Sequence, residues 1–253
     1  MKIKIAILIT AIIAIVSILF FKTNNDKSVK KINDEILIVG TSADFAPFSF
    51  LENNEIVGFD IDIAKEIAKK LNMPIEIVNR SFDMLIPEIQ LGNIQLIAAG
   101  MSSTPEKAKQ VLFTEPHLKG TNLIAISKKN TIINSFDELK NEAVIVNGGY
   151  TSDLYLSKFE GINLKRLPTV ADAFLALNSG QGTAFVTAEN TVKHFFKKYG
   201  KENFNIYVLK NSSEDTALAV SKQSIELYLK INNAMQNLIK DGTIEKLKEK
   251  WEL

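Results

Sequence analysis

Residues 93–116, NIQLIAAGMSSTPEKAKQVLFTEP, constrain the fold more than any other stretch of this chain. The run from Ile94 to Ala99 is mostly apolar and too short for a helix, so it reads as a buried strand. Gly100 stops it, and the hydroxyl residues Ser102, Ser103 and Thr104 follow. Thr104 suits a helix N-cap and Pro105 suits the first helical position, where an N–H has no partner in any case. The chain therefore leaves a strand's carboxyl end, exposes polar groups and aims a helix start at the same place. That geometry suits an anion. Lys107 falls at the third helical position, where a cation opposes the helix dipole by roughly 0.3–1 kcal/mol. It is either a solvated surface lysine or the partner of a bound anion.

The rest of the chain alternates strands and helices. Strands are expected over 35–40, 75–78, 122–127, 143–146, 164–167, 184–187, 205–209 and 216–220. Asp60 reads as the cap of a helix whose apolar positions, Ile63, Ala64, Ile67, Ala68 and Leu71, recur at helical spacing until Pro74 breaks it. Further helices are expected from Ser81 to near Gly92, from Thr151, and over 170–178, 189–199 and 225–240, with a short last one carrying Trp251. This order makes an α/β fold with mostly parallel sheets. The units 81–100 and 169–188 share a helix–glycine–strand plan, with Gly92 and Gly180 at one offset, although their residues differ otherwise. They imply two lobes of similar architecture. In open α/β sheets ligands sit beyond the carboxyl ends of strands. Residues 100–107 and 188–190 would then face each other across a cleft, with the chain crossing between lobes near 122–127 and 215–220.

Composition narrows the function. A chain of 253 residues with 46% apolar content can bury one large core or two modest ones, and a net charge of +1 gives no reason for a nucleic-acid partner. From Ile5 to Phe21 there are 17 residues without a charge, preceded by Lys2 and Lys4. Residues 1–22 are therefore a secretory signal or a membrane anchor, and the positive start places the remainder outside the cytoplasm. No clear small-x-small cleavage site follows, and 23–33 reads as a flexible tether. With no cysteine there is neither a lipobox nor a disulfide.

Candidates for catalysis are scarce. The two histidines are His194, in a lysine-rich helix that points to the surface, and His117, which follows Pro116 and either lines the cleft or fills structure. There is no HExxH, no thiolate ligand and no aspartate-rich calcium loop. Gly148 and Gly149 lack both the P-loop and the dinucleotide fingerprint, so no cofactor or metal is expected. Phe45 and Phe82 lie near strand ends in polar surroundings, as core or as cleft residues.

In order and spacing, five segments resemble the family 3 extracellular solute-binding proteins, the amino-acid receptors of ABC importers. They are TSADFAPFSF (41–50), VGFDIDIAKEIAKKL (57–71), SFDMLIPEIQLGNI (81–94), GMSSTPEKAKQVLFTEP (100–116) and LIKDGTIEKLKEKW (238–251). The resemblance covers about residues 35–253. It implies a two-lobe periplasmic-binding-protein fold of type II, each lobe a mostly parallel sheet flanked by helices, joined by two hinge crossings. Lobe 1 would take 34–122 and 217–253, and lobe 2 residues 123–216. It further implies a monomeric periplasmic receptor, free or tethered by its amino terminus. Such a receptor closes on a small polar solute, an amino acid or related carboxylate, and delivers it to an ABC permease without catalysis.

The family's site residues transfer position by position. Phe45 and Phe82 match the pair that sandwiches the ligand side chain. Gly100 and Ser102 match contacts through backbone and hydroxyl. Lys107 matches the arginine that clamps the α-carboxylate, and Thr151 and Ser152 match residues that bond the same carboxylate. Ala188 matches the aspartate that takes the α-amine. Two of these are departures. Lysine offers a point charge in place of a bidentate fork. Ala188 forgoes a charge-assisted partner, a kind of interaction worth about 1.5–3 kcal/mol. Glu189 is the adjacent acid. Ser42, where many relatives carry an acid for basic side chains, and Asp44 beside it leave the side-chain preference open. The alternatives are the same fold serving as a sensor or taking a different ligand, and an enzyme like the cyclohexadienyl dehydratases with Glu189 as its acid.

Overall fold

A computed structural model describes residues 36–253; the expectations for the leader 1–22, for the tether 23–33 and for the side chain of His194 fall outside the described residues. The chain opens with strand β1 (Leu37–Thr41) and a small antiparallel sheet of β2 (Asp44–Phe45), β3 (Ser49–Glu52) and β4 (Glu55–Val57). Helix α1 (Phe59–Leu71), β5 (Ile75–Asn79), α2 (Leu85–Gln90), β6 (Leu96–Ile97), the single-turn α3 (Pro105–Ala108) and β7 (Val111–Phe113) follow. Next come β8 (Leu118–Thr121), β9 (Leu123–Lys128), β10 (Ala143–Asn147), α4 (Thr151–Leu156), β11 (Asn163–Leu167) and α5 (Val170–Asn178). The last elements are β12 (Ala184–Ala188), α6 (Glu189–Tyr199), β13 (Phe204–Val208), β14 (Glu214–Thr216), β15 (Ala219–Ser221), α7 (Ile225–Lys240) and α8 (Thr243–Trp251).

Two five-stranded sheets carry the architecture, in the orders β5-β1-β6-β15-β7 and β11-β10-β12-β9-β13. In each, three strands run parallel and a fourth enters antiparallel beside them. The two helix–glycine–strand units match in position as well as plan, because β6 and β12 both hold the third place in their sheets. Gly92 and Gly180, at φ 75° and 74°, make equivalent left-handed turns ahead of them.

The periodic segments form for the reasons expected. In α1 the stripe Ile63, Ala64, Ile67 and Ala68 is buried, and Asn72 ends the helix in the left-handed region at φ 53°. Each such isoleucine contributes about 1.5–3 kcal/mol through burial, which outweighs the modest helix propensity of a β-branched residue. The core of the first sheet joins Leu37, Val39 and Leu96 to α1 and to Ile231, Met235 and Leu238 of α7. In the second sheet Val144, Val146 and Val186 face Leu156 on one side, while Ile145 and Phe185 face Phe174 on the other.

Three expectations change. Asp60 does not cap α1: the N-cap is Gly58, and the Asp60 side chain turns into the interior. The strand expected over Ile94 to Ala99 is regular only at Leu96–Ile97, flanked by single bonds from Gln95 to Ile38 and from Ala98 to Gly40. The crossing expected over 122–127 lies earlier. Residues Leu123 to Ser127 are all buried, which requires a sheet interior, and β9 sits between β12 and β13. The segments that pass between the sheets are β8 and β14, paired as an antiparallel ribbon with Glu214 opposite Thr121 and Thr216 opposite Leu118.

Candidate functional site

On the first sheet's side the wall is built around Gly100. Its φ of +62° suits glycine, and a Cβ there would stand 2.6 Å from the ring of Phe45. Its N–H donates to Asp60 Oδ2 at 2.7 Å, and Asp60 Oδ1 lies 2.9 Å from His117 Nε2. A carboxylate with no solvent exposure needs such partners, and His117 is committed to this one, against the ring of Phe59. His117 therefore backs the wall and does not line the cleft.

The Thr104 hydroxyl accepts the Lys107 N–H at 3.2 Å, so the cap forms as expected. The helix it starts is one turn long, which leaves little dipole, and positive charge at this place comes from the Lys107 ammonium itself. Lys107 is no solvated surface residue: it is 3% exposed. Its Nζ lies 3.4 Å from Thr151 Oγ1 and 5.5 Å from the centre of the Phe82 ring. Burial pushes its pKa down to about 8, against the pull of Glu214 and Glu106.

The second sheet's contribution follows β10. Gly149, at φ 75°, turns the chain into α4, and Asp153 reaches back to accept its N–H at 3.0 Å while pairing with Arg166. This fixes Tyr150, Thr151 and Ser152 at the cleft. The Tyr150 ring centre lies 4.2 Å from that of Phe82 and 5.3 Å from that of Phe45, and Phe45 stacks on Phe48. Burial, and then the charge of Asp44, push the Tyr150 phenol up. Burial also raises Asp44, which accepts a bond from Ser42 at 2.6 Å.

Phe45, Phe82, Gly100, Ser102, Thr151, Ser152 and Ala188 come together on one cavity, and Lys107 joins them through Thr151 and Phe82. Glu189 does not. It is exposed at the start of α6, where its N–H bonds Asn122, and it is not on the wall. The cavity encloses about 510 Å³ free of atoms, its mouth included, of which about 30 Å³ admits the centre of a water-sized sphere.

Sequence reasoning missed Phe48, Tyr150, Thr187, Ser212 and Glu214 on this wall. Glu214 places a carboxylate on the wall, where neither Ala188 nor Glu189 does. Burial raises its pKa while Lys107 lowers it, and its Oε2 is buried without a hydrogen-bond partner in the chain. Nothing local separates Glu214 from Asp215. Only the alternation of a strand sends the first to the cavity and the second to the Gly120 N–H at 3.0 Å. Tyr150 did carry a signal, an aromatic wedged between a glycine pair and two helix-starting hydroxyls.

Comparison with known proteins agrees with the fold. The family described as bacterial extracellular solute-binding proteins, family 3, matches residues 37–253. The chain is 33% identical over 219 residues to the arginine-binding extracellular protein ArtP of Bacillus subtilis (strain 168), covering 85% of each. It is 29% identical over 233 residues to a probable histidine-binding protein of Campylobacter jejuni, covering 92% of this chain and 91% of the relative. Among solved structures, an ancestral arginine-binding protein bound to arginine superposes with a TM-score of 0.80 at 38% identity, over 86% of this chain and 98% of that one. An ancestral arginine-binding protein bound to glutamine gives 0.79 at 39%, over 86% and 97%. Each of these is named as a binding protein. The twin sheets, the ribbon between them and a match spanning almost every described residue have one reading: the chain belongs to the bacterial extracellular solute-binding proteins, family 3, with their type II fold.

Proposed function

We propose that this protein is an extracytoplasmic receptor that binds the head group of an amino acid in the cleft between its two sheets and delivers it to an ABC permease. One observation carries the reading. Glu214, whose Oε2 is buried without a hydrogen-bond partner in the chain, lines the cavity, and the buried ammonium of Lys107 stands just behind that wall, against Thr151 and Phe82. The two charges attract each other but form no direct ion pair, so a ligand that carries both signs satisfies them better than they satisfy each other. Lys107, Thr151, Ser152 and Ser102 take the carboxylate. Glu214 takes the ammonium in place of the missing acid at Ala188, while Gly100, Phe45 and Phe82 form the floor. Relatives named for binding arginine and histidine support an amino acid over other zwitterions.

Residues 34–122 with 217–253 act as one lobe and 123–216 as the other, hinged at the ribbon of β8 and β14. A bound ligand favours the closed state that a permease recognises. The receptor acts as a monomer, in the periplasm or on the outer face of the membrane that its amino terminus reaches.

Calorimetry on the full chain tests the head group. An amino acid should bind, and neither the acid lacking its amine nor the amine lacking its carboxylate should bind within tenfold of it. Equal binding of the deaminated acid would remove Glu214 from the reading.

A further inference from the structure

Tyr150 reaches from the second sheet to the aromatic floor of the first. Among the described residues, Phe45 and Phe82 make no ring contact with each other; each touches Tyr150 instead, at 5.3 and 4.2 Å between centres. The Tyr150 ring is 5% exposed. It is held from behind by the Gly149–Asp153–Arg166 bonds, so its backbone has little freedom to withdraw. The charged end of the cavity is close by, since Lys107 Nζ lies 5.5 Å from the same Phe82 ring. A ligand side chain leaving that end along Phe82 meets Tyr150.

The remaining room is small. About 30 Å³ admits water-sized centres, where a single water needs roughly 10–15 Å³. Asp44, an acid near this ring, is also kept from the cavity. Asp44 Oδ1 accepts the Ser42 hydroxyl and its Oδ2 is buried without a partner, and the residue stands off the cavity wall while Tyr150 is on it. A long cationic side chain therefore finds no length, and no acid on the wall beyond Glu214, which the ammonium of the head group occupies.

We propose that Tyr150 is a specificity-determining residue that restricts the cleft to amino acids with small uncharged side chains, such as glycine, alanine and serine, and excludes those the length of arginine. This rests on the amino-acid reading above and narrows it. It separates the chain from relatives named for arginine, with which it shares its fold.

Titration calorimetry on the full chain would compare wild type, Tyr150→Phe and Tyr150→Ala against glycine, alanine, serine, glutamine, histidine and arginine. Wild type should prefer its best small ligand to arginine by at least tenfold, and Tyr150→Phe should keep that preference. Tyr150→Ala, checked for folding by circular dichroism, should narrow it by at least tenfold through gained binding of glutamine or arginine. Wild type that binds arginine or histidine as tightly as alanine overturns the inference and leaves the amino-acid reading standing. So does a folded Tyr150→Ala with unchanged preference. No heat from folded wild type with any amino acid overturns both. Should Tyr150→Ala fail to fold, the preferences of wild type and Tyr150→Phe still decide.

Discussion

Lys107 Nζ lies 3.4 Å from the Thr151 hydroxyl, so a buried ammonium on one side of the cleft is held by a single long bond to the other side. Such a bond leaves most of the ammonium's donors free for a ligand. Replacing Lys107 by alanine should weaken amino-acid binding by about 1.5–3 kcal/mol, the range for a hydrogen bond to a charged group. Lys107→Arg should retain or improve it, where the fork fits. Calorimetry on the full chain reads both, and unchanged affinity in Lys107→Ala would show the anion is held elsewhere.

Lys107 also sets a pH dependence. Its pKa is pushed down to about 8, whereas an unfolded lysine titrates near 10.4. Below about pH 8 both states are protonated, and the buried charge costs on the order of 3 kcal/mol. Between about 8 and 10.5 the folded protein has lost a proton that the unfolded chain keeps, so this contribution to stability rises with pH. Ligand affinity should move oppositely, falling as pH climbs above about 8, because the anion needs the ammonium. Glu214 and Glu106 face Lys107 and oppose its deprotonation. Thermal melts and titrations of wild type and Lys107→Met from pH 7 to about 10 would test this. Parallel curves for the two proteins would rule Lys107 out as the source.

Glu214→Gln should separate ligand classes. Binding of amino acids should weaken by about 1.5–3 kcal/mol as the ammonium loses its partner. A carboxylic acid without an amine should bind no worse, since a buried negative charge has been removed. If both classes weaken alike, Glu214 serves Lys107 and not the ligand.

Gly100→Ala should destabilise the fold by about 1–3 kcal/mol for a left-handed residue with a side chain. The new Cβ, 2.6 Å from the Phe45 ring, would also displace the cleft floor. The melting temperature and amino-acid affinity should therefore fall together. A variant with native stability would mean that the backbone here relaxes freely.

Closure can be followed without background because the chain has no cysteine. Glu106 of α3 and Lys158, just past α4, form an exposed ion pair at 2.9 Å between the two sheets' sides. Cysteines at these positions should be joined by a short bis-maleimide faster with saturating amino acid than without. Equal rates would count against ligand-driven closing.

Much of this molecule is local. The helices Val170–Asn178 and Ile225–Lys240 were legible to the residue, because each carries its apolar stripe and its end signals within its own span. The turn at Gly100, the cap at Thr104 and the hydroxyls Thr151 and Ser152 were readable for the same reason. The ribbon was not, since β8 and β14 are short polar strands that exist only because each finds the other. The strand β6 was legible but its extent was not, since it is two residues long and finished by bonds to distant β1.

The sequence by itself determined the α/β plan and the place where strands end in polar loops. Tertiary structure alone decided that Glu214 and not Glu189 completes the charged wall, and that Tyr150 stands against Phe45 and Phe82. Periodicity tells a residue which face of its own element it occupies. It does not tell it which element will stand opposite, because that depends on how two separately folded sheets are brought together by the ribbon.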